Sequence, residues 1–198
     1  MHNFRLIHKE NGGLASARNT GMKHATGEWL TFLDSDDFVE PTYLSSAMQA
    51  IHECAADYCQ TSHKIFYEDT RRIRNSSRRD QACGSRDEVI DVLYFRYILG
   101  KVYSLKIIRE NGLFFDESVR VGEDTSFNFD YFSIPQKCVI IPDAGYVYRR
   151  RPGSVTSNSV RPEKKKISTS ISETSGIALR MNPLFARNTA IITTLLTA

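Results

Sequence analysis

A chain of 198 residues has room for one medium domain and an appendage, and too little for two complete domains. Hydrophobic residues make up 41% and charged residues 25%, which excludes a disordered or collagen-like chain and leaves an ordinary globular core within reach. The 26 Lys and Arg against 23 Asp and Glu give a net charge of +3, too mild to argue for a nucleic-acid partner.

The first residues, Met1 to His8, lack the apolar stretch of a signal peptide. Phe4–His8 reads as a short strand and Asn11-Gly12-Gly13 as a turn. Leu14 to Ala25 carries a helical pattern that stops at Gly27. Glu28 to Leu33 alternates and then becomes continuously apolar, as a buried strand does, and runs directly into Asp34-Ser35-Asp36-Asp37. Pro41 suits the first position of a helix through about Cys54. This alternation of strand and helix predicts an α/β domain with a mostly parallel sheet.

Ala56–Tyr67 is strand-like, and Glu68–Gly84 reads as an Arg-rich loop. Ser85-Arg86-Asp87-Glu88 has the spacing of a capping box and predicts a helix through about Tyr97. Two further helices are expected over Leu105–Glu110 and from Gly122-Glu123-Asp124 through Phe132. Two strands follow, Lys137–Ile141 and Gly145–Arg149, on either side of Pro142-Asp143. Beyond Arg151, Ser, Thr and Lys dominate to Ser175. The final apolar stretch, Ala190–Ala198, is about half of what a membrane span needs. Cys54, Cys59, Cys83 and Cys138 show neither a CxxC pair nor zinc spacing, so reduced thiols in a cytosolic protein are expected.

The chemistry concentrates at the acidic strand end. Ligands of open α/β sheets bind beyond the carboxyl ends of the strands. Asp34 and Asp36, two residues apart at such an exit, can face one crevice and offer hard oxygen ligands to Mg²⁺ or Mn²⁺. A helix cap before Pro41 explains the same residues. An EF-hand would place Gly where Val39 stands, and a haloacid-dehalogenase-type phosphatase would place Thr where Phe38 stands. Asn11-Gly12-Gly13 could cradle an anion with backbone N–H groups or be a plain turn, and Arg18 could reach a base or phosphate or lie on a solvated helix face.

Taken together, Glu10-Asn11-Gly12-Gly13-Leu14-Ala15-Ser16-Ala17-Arg18-Asn19-Thr20-Gly21, then Ala25-Thr26-Gly27-Glu28 and Phe32-Leu33-Asp34-Ser35-Asp36-Asp37, closely resemble the family 2 glycosyltransferases. Gly100-Lys101-Val102-Tyr103, with Gly in place of the family's Asn, agrees in order. So do Phe115-Asp116-Glu117 through Gly122-Glu123-Asp124, and Tyr146-Val147-Tyr148-Arg149-Arg150-Arg151-Pro152-Gly153-Ser154-Val155. The resemblance covers roughly residues 4–156. It implies a GT-A fold, that is, a Rossmann-like sheet flanked by helices. It also implies inverting transfer from a nucleotide-sugar, a UDP-sugar by family habit, to a glycan or lipid-linked acceptor in bacterial surface-polysaccharide synthesis.

Residue by residue, the resemblance implies that Asp36, with Asp34, meets a divalent metal, Mn²⁺ or Mg²⁺. Asn11, Arg18, Lys101, Arg149, Arg151 and Ser154 fall on the nucleotide-donor side. Asp124 matches the general base, with Glu123 beside it. First-turn charge complementing a helix dipole is the plain alternative for that pair. The expected location is cytoplasmic, with peripheral association at the inner face of the plasma membrane.

The pattern also departs from the family. Two strands and a helix that normally precede Phe4, ending in an Asp-Asp-Gly-Ser motif, have no counterpart in residues 1–10. A glycosyltransferase domain over 1–156, incomplete at its N-terminus, and a Ser/Thr/Lys-rich tail over 157–198 are therefore expected. So are an unpaired sheet edge and weak nucleotide binding by the isolated chain. An inactive or partner-dependent remnant, and a Mg²⁺-dependent phosphohydrolase built on Asp34 and Asp36, are the alternatives. Arg71, Arg72, Arg74, Arg78 and Arg79 would attract an anionic membrane face or a lipid-diphosphate acceptor. A solvated connecting loop is the preferred reading of them, because aromatic or amphipathic support is missing. Lys164-Lys165-Lys166 reads likewise. Tyr94, Phe95 and Tyr97 are expected in the core rather than as a sugar platform, and Trp29 in packing.

Overall fold

A computed structural model describes residues 5–75, 81–91, 93, 95–152 and, as backbone, 189–194. Arg78, Arg79, Tyr94, Ser154 and Lys164–Lys166 lie outside the described residues. In chain order the elements are α1 (Gly13–His24), β1 (Trp29–Asp34), β2 (Phe38–Val39), α2 (Tyr43–Cys54), β3 (Tyr58–Tyr67), β4 (Arg72–Asn75) and β5 (Ala82–Ser85). They continue with α3 (Arg86–Val89), β6 (Lys101–Ser104), α4 (Leu105–Glu110), α5 (Glu123–Ser133), β7 (Lys137–Arg150) and β8 (Thr189–Thr194).

The strands form a single sheet in the order β2-β7-β3-β6-β1-β8, with β4 on β3 and β5 on β7. β3 and β7 are parallel, as are β1 and β8, while β6 runs antiparallel between β3 and β1. The expected α/β architecture is present, and its long strands share one direction. The short strands β2, β4, β5 and β6 run against them and make the sheet mixed.

Each face of the sheet carries an apolar layer. On one, Leu30, Phe32, Tyr58, Tyr103, Cys138 and Ile140 pack with Ala15 and Met22 of α1, Leu105 and Ile108 of α4, and Phe127 and Tyr131 of α5. On the other, Leu33, Cys59, Val102, Val139 and Tyr146 pack against Tyr43, Leu44, Ala47, Met48 and Ile51 of α2. Alternation along a strand sends successive residues to opposite faces, so Phe32 and Leu33 serve different cores. Trp29 packs against the second of these, as expected.

Several local expectations are corrected. Residues 5–8 form no strand. The stretch read as a loop over 68–84 contains β4 and β5, whose partners β3 and β7 supply a ladder that isolated, polar segments do not advertise. The capping box at Ser85 is present, with Ser85 N–H donating to Glu88, but α3 ends at Val89 rather than near Tyr97. The two strands expected on either side of Pro142 are one strand, β7, with a register shift against β3. Of the aromatic cluster, Phe95 packs on the core and Tyr97 is exposed.

Cys54 and Cys83 form a disulfide, with Cα atoms 6.3 Å apart, where reduced thiols were expected; Cys59 and Cys138 are buried and free. The pair lies 29 residues apart in sequence, and only the β5–β7 pairing brings Cys83 to the end of α2. The sheet edge at β1 is paired as well. The tail read as separate from the sheet supplies β8, which runs beside β1 from Trp29↔Thr189 to Asp34↔Thr194.

Gly100 departs from the Asn of the resembling segment for a visible reason. Its φ is +64°, and a Cβ there would stand 2.6 Å from Thr61 Oγ1. Thr61 N–H donates to the Gly100 carbonyl, locking β3 to the entry of β6.

Candidate active site

The acidic run leaves β1 and is held from below. Asp37 N–H donates to the Asp34 carbonyl and closes a tight turn. The Asp37 side chain is buried at 4% exposure, accepting from Tyr146 Oη at 2.8 Å and from Arg149 N–H at 2.9 Å. Just beyond, β2 pairs with Tyr146 and Val147 of β7. The turn is thereby pinned to β7, which leaves Asp34 and Asp36 as the partly exposed carboxylates of the run. Asp37 stood in the sequence motif without an assigned role; its burial is set by β7, more than 100 residues away in the chain.

Burial pushes the Asp37 carboxyl up to about 7, with Asp34 and Asp36 adding to it and the two hydrogen bonds opposing it. A carboxyl whose folded pKa lies above its unfolded value stabilises the fold least when ionised. Stability should therefore fall as pH rises from about 4 to 7 and level off above. Asp37→Asn can still accept from Arg149 N–H and can donate its amide N–H to Tyr146 Oη in place of accepting from it, without the charge. It should become more stable relative to wild type by about 3 kcal/mol across that window, read as urea midpoints at pH 4.5, 6 and 7.5. A pH-independent difference would remove Asp37 as the source.

Arg18 is the second organising residue. Brought by α1, it is 2% exposed and its guanidinium spans two carboxylates, Asp34 Oδ1 and Glu123 Oε1, both at 3.1 Å. Its charged plane stands 5.4 Å from the centre of the Phe115 ring. Next to it, Asn19 both donates to the Phe115 carbonyl and accepts from Phe115 N–H, each at 2.8 Å, and donates to Glu117. Consecutive residues of α1 thus tie the end of β1 to the segment that leads into α5.

Glu123 and Asp124 open α5 behind Gly122, whose φ of +90° turns the chain into the helix. Their charge complements the helix dipole, as the plain reading held. Asp124 is half-buried and accepts from Thr125 N–H at 2.8 Å. Burial and the neighbouring Glu123 hold its carboxyl above the usual range, opposed by the Thr125 N–H, Arg18 and Lys101. Lys101 lies on β6 at 1% exposure, donates to the Tyr97 carbonyl, and acts on Asp124 through its charge.

The remaining expected residues divide. Arg151 forms an ion pair with Asp36 at 3.1 Å. Arg149 lies over Phe38, pairs with Glu68 at 3.8 Å, and keeps a buried Nε without a hydrogen-bond partner. Asn11 is engaged locally: its Oδ1 accepts from Gly13 N–H at 3.0 Å and shapes the entry to α1. The structure therefore brings Asp34, Asp36, Arg18, Glu123, Asp124, Lys101, Arg149 and Arg151 to one end of the sheet.

No group of three potential metal-ligating side chains occurs among the described residues. Asp34 and Asp36 fit a Mg²⁺ or Mn²⁺ in another way. Such ions take one or two carboxylates and complete their shell with water and substrate phosphates. Each of the two carboxylates spends one oxygen on an arginine and retains the other.

A sheet of this architecture, with carboxylates at the exit of β1 and an acidic helix start beside them, defines a GT-A domain. Its sequence matches the model of Glycosyl transferase family 2 over residues 1–134, and the chain belongs to that family. The uncharacterized glycosyltransferase EpsJ of Bacillus subtilis is 29% identical over 80% of this chain and 48% of its own length. The succinoglycan biosynthesis protein ExoO of Rhizobium meliloti is 28% identical over 74% of this chain and 44% of its own. The chain spans about half the length of these two relatives and less of several others, down to 18% of the minor teichoic acid biosynthesis protein GgaB of Bacillus subtilis. Among solved structures, Staphylococcus aureus TarS 1-349 in complex with UDP-GlcNAc superposes with a TM-score of 0.61 at 24% identity, over 78% of this chain and 44% of that one.

Proposed function

We propose that this chain carries the transfer of a sugar from a UDP-sugar to a hydroxyl of a glycan or lipid-linked acceptor. The transfer inverts the anomeric centre and serves bacterial surface-polysaccharide assembly at the cytoplasmic face of the membrane. Arg18 is the observation that carries the reading. By holding Asp34 and Glu123 on one guanidinium, it sets the carboxylates of β1 beside Asp124. A divalent ion held by Asp36 and Asp34 would offset the charge of the diphosphate as it leaves. Arg149 and Arg151 add guanidinium forks suited to phosphate oxygens. Asp124, kept basic by burial, takes the proton of the acceptor hydroxyl as that oxygen attacks the anomeric carbon. The names of the relatives, a succinoglycan biosynthesis protein among them, support a polysaccharide product. Membership of the family sets aside the phosphohydrolase alternative. Among the described residues no helix is long and apolar enough to cross a membrane.

Titration of the protein with UDP and Mn²⁺, followed by NMR, reads even roughly millimolar affinity. The paramagnetic ion is expected to broaden amide signals of 34–37 only when UDP is present, and Asp36→Asn should abolish that broadening. Broadening that ignores UDP, or none at saturating ligand, would reject a donor site here and leave the chain as a non-binding remnant.

A further inference from the structure

The basic run 71–74 gains in three dimensions the aromatic company it lacks in sequence. Tyr67 of β3 is paired with Arg72 of β4 on one side and Arg150 of β7 on the other. Two residues back, Ile65 lies between Arg74 and Tyr148. Residues in register across adjacent strands share a sheet face, and positions two apart along a strand share it too. One face of this corner therefore presents the row Arg72-Tyr67-Arg150 and, beside it, the row Arg74-Ile65-Tyr148. Arg150 confirms the shared face, with its guanidinium 5.8 Å from the centre of the Tyr67 ring. Arg72, Arg74 and Arg150 are exposed, and Tyr67 and Tyr148 are half-buried. No carboxylate pairs with Arg72 or Arg74 among the described residues; Glu68 is spent on Arg149. Further in, α2 covers Tyr146 of the same strand, and beyond that point the face opens. The corner lies at the same strand end as the candidate active site, on the sheet face opposite Arg149; there Arg151, the residue after Arg150, pairs with Asp36.

We propose that this face docks an acceptor chain linked by phosphodiesters, an inference that rests on the glycosyltransferase reading for its purpose. Adjacent strands are about 4.8 Å apart, so the two outer arginines of the first row stand roughly 10 Å from each other across Tyr67. Such spacing suits successive phosphates of a linear polyanion better than a single compact anion. Guanidinium forks match phosphate oxygens, and the tyrosine rings offer flat apolar surface to the polyol or sugar between them. A bilayer fits less well. The turn of the β3–β4 hairpin, Glu68-Asp69-Thr70-Arg71, carries two carboxylates against one cation where it would meet the lipid, and the two tyrosines are half-buried rather than free to insert.

The test is binding of the full chain to a synthetic glycerol-phosphate oligomer, by fluorescence anisotropy at low and moderate salt. Wild type should bind, more weakly as salt rises, and the triple variant R72Q/R74Q/R150Q should lose at least about tenfold in affinity. Arg150→Lys should fall between them, because the ammonium keeps the charge and loses the planar stack on Tyr67. Three results would overturn the proposal: equal binding by the triple variant, equally tight binding of an oligogalacturonate of the same length, or retention on phosphatidylglycerol vesicles with no affinity for the oligomer. An unchanged urea midpoint is expected for the triple variant, since all three side chains are exposed. UDP titration in parallel separates the two readings. Oligomer binding without any UDP binding would reject the donor site and keep the surface, and UDP binding without oligomer binding would do the reverse.

Discussion

Asp124→Asn should lower sugar transfer about 1,000-fold in any form of this protein that turns over donor, while UDP and metal binding stay unchanged. The substitution isolates the proposed base. The amide side chain retains an oxygen for Thr125 N–H, so the start of α5 keeps the hydrogen bond that Asp124 makes now. What the amide cannot do is accept a proton. Burial and Glu123 raise the Asp124 carboxyl towards the working pH, where a base transfers protons most effectively. Initial rates over a range of acceptor concentrations decide the matter. A fall in kcat with little change in the apparent donor affinity is the expected result. Turnover within tenfold of wild type would take the role away from Asp124 and leave it as helix-dipole charge.

Arg18→Met should cost about 3 kcal/mol of stability, at the lower end of what breaking a buried ion pair costs. The lower end applies because the Asp34 side chain keeps 31% exposure and Glu123 13%, so water relieves part of the loss. Met fills much of the space over Phe115 but leaves two carboxylates near each other without their shared cation. Urea denaturation reads the loss. The double variant Arg18→Met with Glu123→Gln removes one of the stranded charges and should recover a measurable part of it. If that second change brings no recovery, the cost lies in packing around Phe115 and not in the carboxylates.

Much of the site was legible in the sequence because its residues sit in short, ordered runs. Asp34 and Asp36 follow a six-residue strand directly, and Glu123-Asp124 follow a glycine that turns the chain into a helix. Local patterns of that kind carry their own physics: an apolar run, a turn and a cap. Asp37 and Asn19 belong to the same motifs, yet nothing local showed what they do. Asp37 is defined by Tyr146 and by the backbone of Arg149, and Asn19 by both backbone groups of Phe115. Those partners are distant in the chain, so only packing assigns them. β4, β5 and β6 were missed for the same reason. Each is four residues long, too short to show a period, and each exists because a longer strand offers it a ladder.

By itself, the sequence determined the alternation of helix and strand from α1 to β3, the family, and which carboxylates end β1 and begin α5, since each is written in contiguous residues. The tertiary structure decided the rest. It pairs Cys54 with Cys83, lays β8 along β1, joins Asp34 to Glu123 through Arg18, and sets Arg72 and Arg150 on either side of Tyr67. Each of these relations links residues whose separation in the chain carries no signal; β8 beside β1 and the Arg72-Tyr67-Arg150 row arise from the register of one sheet, and the Arg18 bridge from the helices α1 and α5 packed at the end of β1.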